Sequence, residues 1–234
     1  MNNKSLIIVV TYNSQEFIDS CLCSIINQNY KDWFLLVIDN ASSDNTVARI
    51  REFRNMYPEI NASNFKLIVL KRNIGFAAAV NYAVFNFIVG KKRDIEKHLE
   101  FLILLNPDVY LNCDAFKKII SSFKIINRKN EKNKKGLLPG KIGAAGGLIL
   151  NYKGNLIQHL GGKINDNFIT SHLNFGKDYS GLKREMKLKK AKGDNLNPAS
   201  KIIDVDYVTG AFFATEFKLS LIHISEPTRP LYIS

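Results

Sequence analysis

The sequence predicts an α/β domain built on a doubly wound, mostly parallel sheet with helices on both faces. Three observations predict it. Four short apolar runs recur at Ser5 to Val10, Trp33 to Ile38, Phe65 to Leu70 and Phe101 to Leu105, and runs of this length ended by turn residues are strands of a buried sheet. A stretch with apolar residues at helical spacing follows each run, which is the alternation that parallel sheets show. Polar residues gather where the runs end, and in such sheets ligands sit just beyond the carboxyl ends of the strands.

Taken in order, the first run stops at Thr11-Tyr12-Asn13, and Ser14 is placed to cap a helix with the apolar stripe Phe17, Cys21, Leu22, Ile25. The loop Gln28 to Asp32 leads to the second run, which drives straight into Asp39. Asp44 is placed to cap the next helix, with Val47, Ile50 and Phe53 inward. A polar link, Met56 to Asn64, precedes the third run. Asn73-Ile74-Gly75-Phe76 then opens a helix of small residues (Ala77, Ala78, Ala79, Ala83) mixed with Val80, Val84, Phe87 and Ile88. Small side chains let a helix lie close to a sheet or a ligand. A charged link, Lys91 to Glu100, leads to the fourth run, which ends in Asn106-Pro107-Asp108. Asp114 is placed to cap a helix with Phe116, Ile119, Ile120 and Phe123 inward. From Ile142 the pattern changes. Ile142 to Leu150 is glycine-rich and then extended, and Gly154 to Leu160 and Ile202 to Phe213 read as strands. Gly161 to Ser200 between them reads as a long, irregular polar segment, functional or disordered.

The 234 residues are 46% hydrophobic and 23% charged, which suits one globular domain with room for a small annex. No run of about 18 apolar residues occurs, so no transmembrane helix is expected. The opening MNNKSLIIVVTYNS lacks a small-residue cleavage site and does not read as a signal peptide. Cys21, Cys23 and Cys113 lack CxxC spacing and read as reduced, buried thiols of a cytoplasmic protein. The net charge of +12 is concentrated in two stretches, Lys124 to Lys141 and Lys183 to Lys192. Such clusters attract anionic lipid or phosphorylated substrates, or are solvated loops. Neither interleaves aromatic residues with its cations, so nucleic acid is not an expected partner.

Asn13, Asp39, and Asn106 with Asp108 stand at three strand ends, which parallel packing brings to one edge. Asp39 is placed to accept hydrogen bonds from a nucleobase or a sugar hydroxyl. Equally, Asp39 and Asp44 are residue types that build turns and N-caps. Asn-Pro-Asp makes a tight turn that presents Asp108 outward. A lone carboxylate there suits a hard divalent cation that keeps waters and takes other ligands from substrate phosphates. A cation on a diphosphate leaving group stabilises its developing charge. An ordinary turn acid is the other reading of Asp108.

These residues carry a resemblance to family 2 glycosyltransferases of the GT-A fold. The matching blocks are Val9-Val10-Thr11-Tyr12-Asn13-Ser14, Val37 to Thr46 (VIDNASSDNT), Asn73 to Asn81 (NIGFAAAVN), Leu105-Asn106-Pro107-Asp108-Val109 and Val205 to Ala211 (VDYVTGA), in the family's order and spacing. The Asn-Pro-Asp and Gly-Phe-Ala-Ala-Ala blocks look most like rhamnosyltransferase-type members, which build bacterial cell-surface polysaccharides. The resemblance implies an inverting, metal-assisted transfer from a dTDP- or UDP-sugar to a saccharide or lipid-linked acceptor. Thr11 and Tyr12 would line the base pocket and Asp39 would bind the base. Asn73 and Gly75 would lie near the nucleotide-sugar, and Asn106 near the ribose or metal shell. Asp108 would hold Mg²⁺ or Mn²⁺ against the diphosphate. Asn13, Asn40, Ser42, Asp44, Phe76 and Asn81 complete the implied substrate-binding set. The implied setting is cytoplasmic, with peripheral contact at an anionic membrane through the basic stretches.

Two departures shape the expectation. The first acid of the family's Asp-x-Asp motif is Asn106 here, leaving Asp108 as its one charged ligand. The family's Glu-Asp block, which supplies the general base, does not follow the Val-Thr-Gly-Ala segment. The expectation is therefore a GT-A domain over residues 1–218, incomplete on its acceptor side and poorly active. Residues 219–234 would be a tail foreign to the fold, Val208, Phe212 and Phe213 would be uncovered, and Asp204 or Asp206 would be the remaining candidate bases. The rival readings are an inactive nucleotide-sugar-binding fragment and a membrane-surface interaction domain. A nicotinamide dehydrogenase would want GxGxxG after the first strand, and Thr11-Tyr12-Asn13-Ser14 stands there instead.

Overall fold

In the computed structural model the described residues are 5–90, 98–132, 143–184, 203 and 205–218, with backbone alone at 87–90 and 125–132. In chain order the elements are β1 (Ser5–Thr11), α1 (Ile18–Ile26), β2 (Trp33–Asp39), α2 (Thr46–Met56), β3 (Phe65–Val69), α3 (Phe76–Gly90), β4 (Phe101–Leu105), α4 (Ala115–Lys132), β5 (Ala144–Gly146), β6 (Ile149–Leu150), β7 (Ile157–His159), β8 (Gly162–Ile164), β9 (Thr170–His172) and β10 (Phe212–Glu216). Six strands form one sheet in the order β3-β2-β1-β4-β10-β5. The first four run parallel, and β10 runs antiparallel to both β4 and β5. β6 with β7, and β8 with β9, form two small antiparallel pairs.

Every residue of β1 and β2 is buried, because helices cover both faces. Ile7, Val9, Leu35 and Val37 pack with Leu22 and Ile25 of α1, Ile50 and Phe53 of α2, and Phe116 and Phe123 of α4. Leu6, Ile8, Leu36 and Ile38 point the other way, onto Ala79, Val80, Ala83 and Val84 of α3. Alternate side chains along a strand face opposite sides, so an unbroken apolar run was required for both layers. Each such aliphatic side chain contributes about 1.5–3 kcal/mol on burial. Ala79 and Ala83 are fully buried, and their size lets α3 lie close to the sheet. Register aligns Thr11 with Asp39, Asp39 with Val69 and Val9 with Leu105, so four strands end along one edge.

Several local expectations are corrected. Phe17 is 47% exposed, and the buried face of α1 is Ile18, Cys21, Leu22, Ser24, Ile25 and Ile26. Ser14 receives the Phe17 and Ile18 N–H groups on its carbonyl, not on its hydroxyl. The N-cap position of α2 is Asn45, with Asp44 one residue earlier. Asp114 accepts from Asn29 Nδ2, while buried Gln28 accepts the Phe116 N–H at 3.1 Å and so closes the start of α4. Cys113 is exposed and Cys23 half-buried, so only Cys21 is a buried thiol. The strand expected over Ile202 to Phe213 begins at Phe212. Before it, the Gly162 N–H donates to the Tyr207 carbonyl and the Asp206 N–H to the Gly162 carbonyl, so this stretch is pinned to β8 by single bridges. Part of the segment expected to be irregular, Gly161 to Ser200, is the β8-β9 hairpin. Phe212 is buried and its ring lies 6.4 Å from that of Phe116, with Val208 and Phe213 half-buried. α4 and Gly147 cover the face expected to be bare. The link at 91–97, most of the second basic stretch and residues 219–234 lie outside the described residues.

Gly147 is the tightest point of that cover: a Cβ built there would stand 2.3 Å from the Phe212 ring. Gly147→Ala is expected to lower stability by about 1–3 kcal/mol, the usual cost of overpacking, read from the midpoint of urea unfolding at unchanged m-value.

Candidate functional site

The edge where β1, β2 and β3 end is tied together by side chains that satisfy backbone N–H groups of neighbouring loops. Asp39 is fully buried. Its Oδ1 accepts the Thr11 hydroxyl at 2.9 Å and the Ser42 hydroxyl, and its Oδ2 accepts the Ser42 N–H at 2.9 Å. Ser42 in turn accepts the Asn13 N–H at 2.9 Å, while Asn13 Oδ1 accepts the Ser43 N–H at 2.8 Å. Asn13 and Ala41 both sit at positive φ, +49° and +66°. For an alanine this costs on the order of 1–2 kcal/mol, which the Ser42 bonds to Asp39 hold in place. Asn40 clips the third loop: its Nδ2 donates to Asn73 Oδ1 at 2.8 Å and its Oδ1 accepts the Ile74 N–H at 2.9 Å. Asn73 Oδ1 also takes the Gly75 N–H. Gly75 has φ +83° and open space around its Cβ position, so backbone conformation, not crowding, calls for glycine there.

Asp44 joins the first loop to the second helix. Its carboxylate accepts the Gln15 N–H at 3.1 Å, the Thr46 N–H at 2.9 Å and the Thr46 hydroxyl. Gln15 returns the link by accepting the Asn45 N–H, and the Ser14 N–H donates to Thr46 Oγ1 at 2.7 Å. Partial burial pushes the Asp44 carboxyl up, but the Thr46 and Gln15 bonds outweigh it and hold the group below the usual range.

The expected site residues therefore fall into two sets. Thr11, Asn13, Asp39, Asn40, Ser42, Asp44 and Asn73 are committed to this lacing, and Thr11 lies wholly buried behind the Asp39 carboxylate. Tyr12 and Phe76 present exposed rings, 53% and 44%, at the same edge. Asn81 and Asp108 are exposed, Asn106 is half-buried, and the side chains of all three make no hydrogen bond with a described residue. The Asn106-Pro107-Asp108 turn is held from below. The Asn106 N–H donates to the Ala211 carbonyl at 3.0 Å, and the Cys21 thiol donates to the Asn106 carbonyl at 3.6 Å. Burial first, and then the Asp108 charge, push the Cys21 thiol up to about 12, so it stays protonated as that donor. A cavity of about 420 Å³ lies on the α2/β3 flank against Phe34, Ile50, Arg54 and Phe65, away from these side chains.

A family model described as glycosyl transferase family 2 matches residues 6–128, just over half of the chain. The chain belongs to glycosyl transferase family 2. Its mostly parallel sheet with helices on both faces is the GT-A fold. An uncharacterized glycosyltransferase of Haemophilus influenzae is 35% identical over 75 residues, 32% of this chain and 22% of that protein. A UDP-Glc:alpha-D-GlcNAc-diphosphoundecaprenol beta-1,3-glucosyltransferase of Escherichia coli is 36% identical over 33% of this chain and 28% of its own length. A putative teichuronic acid biosynthesis glycosyltransferase of Bacillus subtilis is 29% identical over 44% of each. The chain thus spans less than half the length of these curated relatives. Among solved structures, S. aureus TarS in complex with UDP-GlcNAc aligns over 64% of this chain and 42% of that chain, at 22% identity and a TM-score of 0.42.

Outside the strand-end edge, this family 2 glycosyl transferase holds a polar cluster that sequence reasoning did not single out. His159, His172 and Tyr207 converge from β7, β9 and the segment before β10, with His159 Nδ1 3.2 Å from His172 Nδ1. The signal was faint, because each is a lone residue on a short strand or bridge. Asp206, a candidate base, is committed: Ile164 N–H and Lys163 Nζ both donate to it and hold its carboxyl below the usual range. Asp204 lies outside the described residues.

Asp44 carries the prediction here. A carboxyl whose folded pKa is depressed contributes stability above its unfolded pKa, and the contribution is lost as pH falls through the folded value. Asp44→Ala is expected to cost about 0.5–1.5 kcal/mol near pH 7, the net worth of a typical intramolecular hydrogen bond, since it removes the acceptor of Gln15 and Thr46. The gap between native and variant stability should shrink in urea unfolding as pH falls below about 4.

Proposed function

We propose that the chain binds a nucleoside-diphosphate sugar at the β1-β2-β4 edge and serves its transfer, with inversion, to a saccharide or lipid-linked acceptor in cell-surface polysaccharide synthesis. The observation that carries this is the presence on one sheet edge of a dry, oriented carboxylate, Asp39, and an exposed, uncommitted one, Asp108, beyond the ends of the two parallel strands that flank β1. Family membership supports the reaction class. Uracil and thymine both carry an N–H between two carbonyls, so one carboxylate reads either base. A UDP- or dTDP-sugar, with rhamnose-type sugars favoured, is therefore the proposed donor. Oδ2 of Asp39 accepts one hydrogen bond from the described residues and has capacity for another. Because Asp39 is fully buried, base entry requires the Ala41-Ser42 turn to shift. Tyr12 and Phe76 offer flat apolar surfaces beside it.

A divalent cation fits this edge as a ligand shared with the donor. Among the described residues no three His, Cys, Asp or Glu side chains come together, so the protein offers no closed cage. Mg²⁺ or Mn²⁺ needs only one or two carboxylates when phosphates and waters complete its shell. Asp108 supplies the carboxylate and Asn106 a neutral oxygen. When bound, such an ion stabilises charge developing on the leaving diphosphate. The protein's part is to hold Asp108 on a turn fixed by Ala211 and Cys21. The basic stretch that begins at Lys124 would add attraction to an anionic membrane, worth about 1 kcal/mol per lysine near the surface. Among the described residues no helix is long and apolar enough to cross one.

Calorimetry with UDP, dTDP and GDP, each with Mn²⁺ and with EDTA, tests the reading. UDP or dTDP is expected to bind with a gain from metal. Asp108→Asn should remove that gain and leave metal-free binding nearly unchanged. Asp39→Asn should weaken binding by about 1–3 kcal/mol, the scale of a hydrogen bond to a charged group. Equal affinity for all three nucleotides, unaffected by metal, defeats the proposal.

A further inference from the structure

We propose that His159 is a positioning residue: through a neutral, directional histidine pair it fixes the segment 205–211 against the Asn106-Pro107-Asp108 turn. The chain of contacts is continuous. His159 is buried, and its Nε2 lies 3.2 Å from the Thr209 backbone nitrogen. Thr209 Oγ1 accepts the Ala211 N–H at 3.3 Å, and the Ala211 carbonyl accepts the Asn106 N–H at 3.0 Å. Movement of the imidazole is thus passed, bond by bond, to the root of the turn that carries Asp108.

The protonation state follows from donors and acceptors. A backbone N–H only donates, so Nε2 of His159 accepts, and a neutral imidazole then carries its proton on Nδ1. That Nδ1–H faces His172 Nδ1 at 3.2 Å, which must accept, so the proton of neutral His172 is on its Nε2. The Tyr207 hydroxyl lies 3.3 Å from the same His172 nitrogen and can only share that nitrogen's one lone pair with the His159 N–H. Neither nitrogen of His159 accommodates a further proton in this arrangement. Protonating His159 sets Nε2–H against the Thr209 N–H. The same logic excludes a metal bridging the two Nδ1 atoms. A metal-bound neutral imidazole needs a proton on its other nitrogen and donates it, whereas here that nitrogen receives one.

The groups that face the pair are its own partner from β9 and Tyr207 from the segment before β10. Lys163 of β8 and Asp206 of that segment pair with each other at 3.0 Å. Burial first, and then the His172 ring, lower the His159 pKa from its ordinary value. The latch is therefore closed at neutral pH and opens as pH falls through a value below about 6.5. That the segment matters for sugar transfer rests on the proposed function; that it is held by the pair does not.

Three readouts on the full chain test this. Histidine ring NMR should show His159 as the Nδ1–H tautomer at pH 7.5. The Thr209 amide should be protected from exchange, with a protection factor that falls by up to about tenfold per pH unit once His159 titrates. His159→Gln places an amide oxygen where Nε2 stood, so Thr209 should stay protected with no step across that range. His159→Phe should leave it unprotected throughout. A pH profile of transfer should bend with the same titration in the native chain and lose that bend in His159→Gln. An Nε2–H tautomer, or a Thr209 amide equally protected in His159→Phe, overturns the positioning role, as does an unchanged transfer profile in His159→Gln. The NMR results holding while no nucleotide-sugar is bound or consumed would instead overturn the proposed function alone.

Discussion

The carboxyl edge of a parallel sheet leaves the N–H groups of the emerging loops without ladder partners, and everything at this site depends on how they are satisfied. A buried donor left unpaired costs about 1–3 kcal/mol. Here short polar side chains take the orphan donors of their own loop and of its neighbours. Asp39 takes Ser42, Asn13 takes Ser43, Asp44 takes Gln15 and Thr46, and Asn40 takes Ile74. Because the Asn13–Ser43, Asp44–Gln15 and Asn40–Ile74 bonds each join two different loops, the loops after β1, β2 and β3 are one mechanical unit. The positive φ at Asn13 and Ala41 is tolerable only within such a unit, where several bonds over-determine the backbone.

The second half of the chain reaches this unit by a different route. β10 enters antiparallel beside β4, so its start, not its end, meets the edge where β4 stops. Residues just before β10 are thereby delivered to the Asn106 turn. Phe212 fixes the entry by packing on Phe116 of α4, and the glycine at 147 permits the close approach of the chain to its ring. The apolar contact sets where the segment crosses the sheet, and the polar contacts around His159 set how its backbone faces.

The fold was legible where period and burial agree. Ile7 and Val9 against Leu6 and Ile8 demanded cover on both faces, and the spacing of Phe116, Ile119, Ile120 and Phe123 demanded a helix. Helix starts were less legible, because a capping residue is recognised by type while the cap is made by geometry. Gln28, remote in sequence, closes α4, and Asp114 does not. The stretch 202–213 read as a strand from its β-branched residues, yet a strand needs a partner along its length. Gly161 and Gly162 offer Val205 and Tyr207 a close seat instead of a ladder. At the site, the sequence marked which residues gather at the edge. It did not mark which are spent on structure, since Asn and Asp are equally apt for turns and for ligands. The histidine pair was invisible because it joins strands of three residues each.

That division between spent and unspent groups gives two carboxylates at one edge different chemistry. Asp39 is dry and already oriented by the Thr11 and Ser42 donors. A donor that reaches it once the Ala41-Ser42 turn has shifted meets an acceptor still held by Thr11 in a low-dielectric setting, where a hydrogen bond is stronger and an unmatched group costlier. In the proposed reading it is this carboxylate that discriminates between bases. Asp108 is exposed, so its field is screened by water and confers little selectivity by itself. What it can do is meet a hydrated cation without stripping it, which a buried cage could not do for an ion that dehydrates reluctantly. Its one close constraint is the turn beneath it, where the protonated Cys21 thiol donates to the Asn106 carbonyl. A thiolate there would repel both that carbonyl and Asp108. The burial that keeps Cys21 neutral is therefore part of what keeps the turn in place.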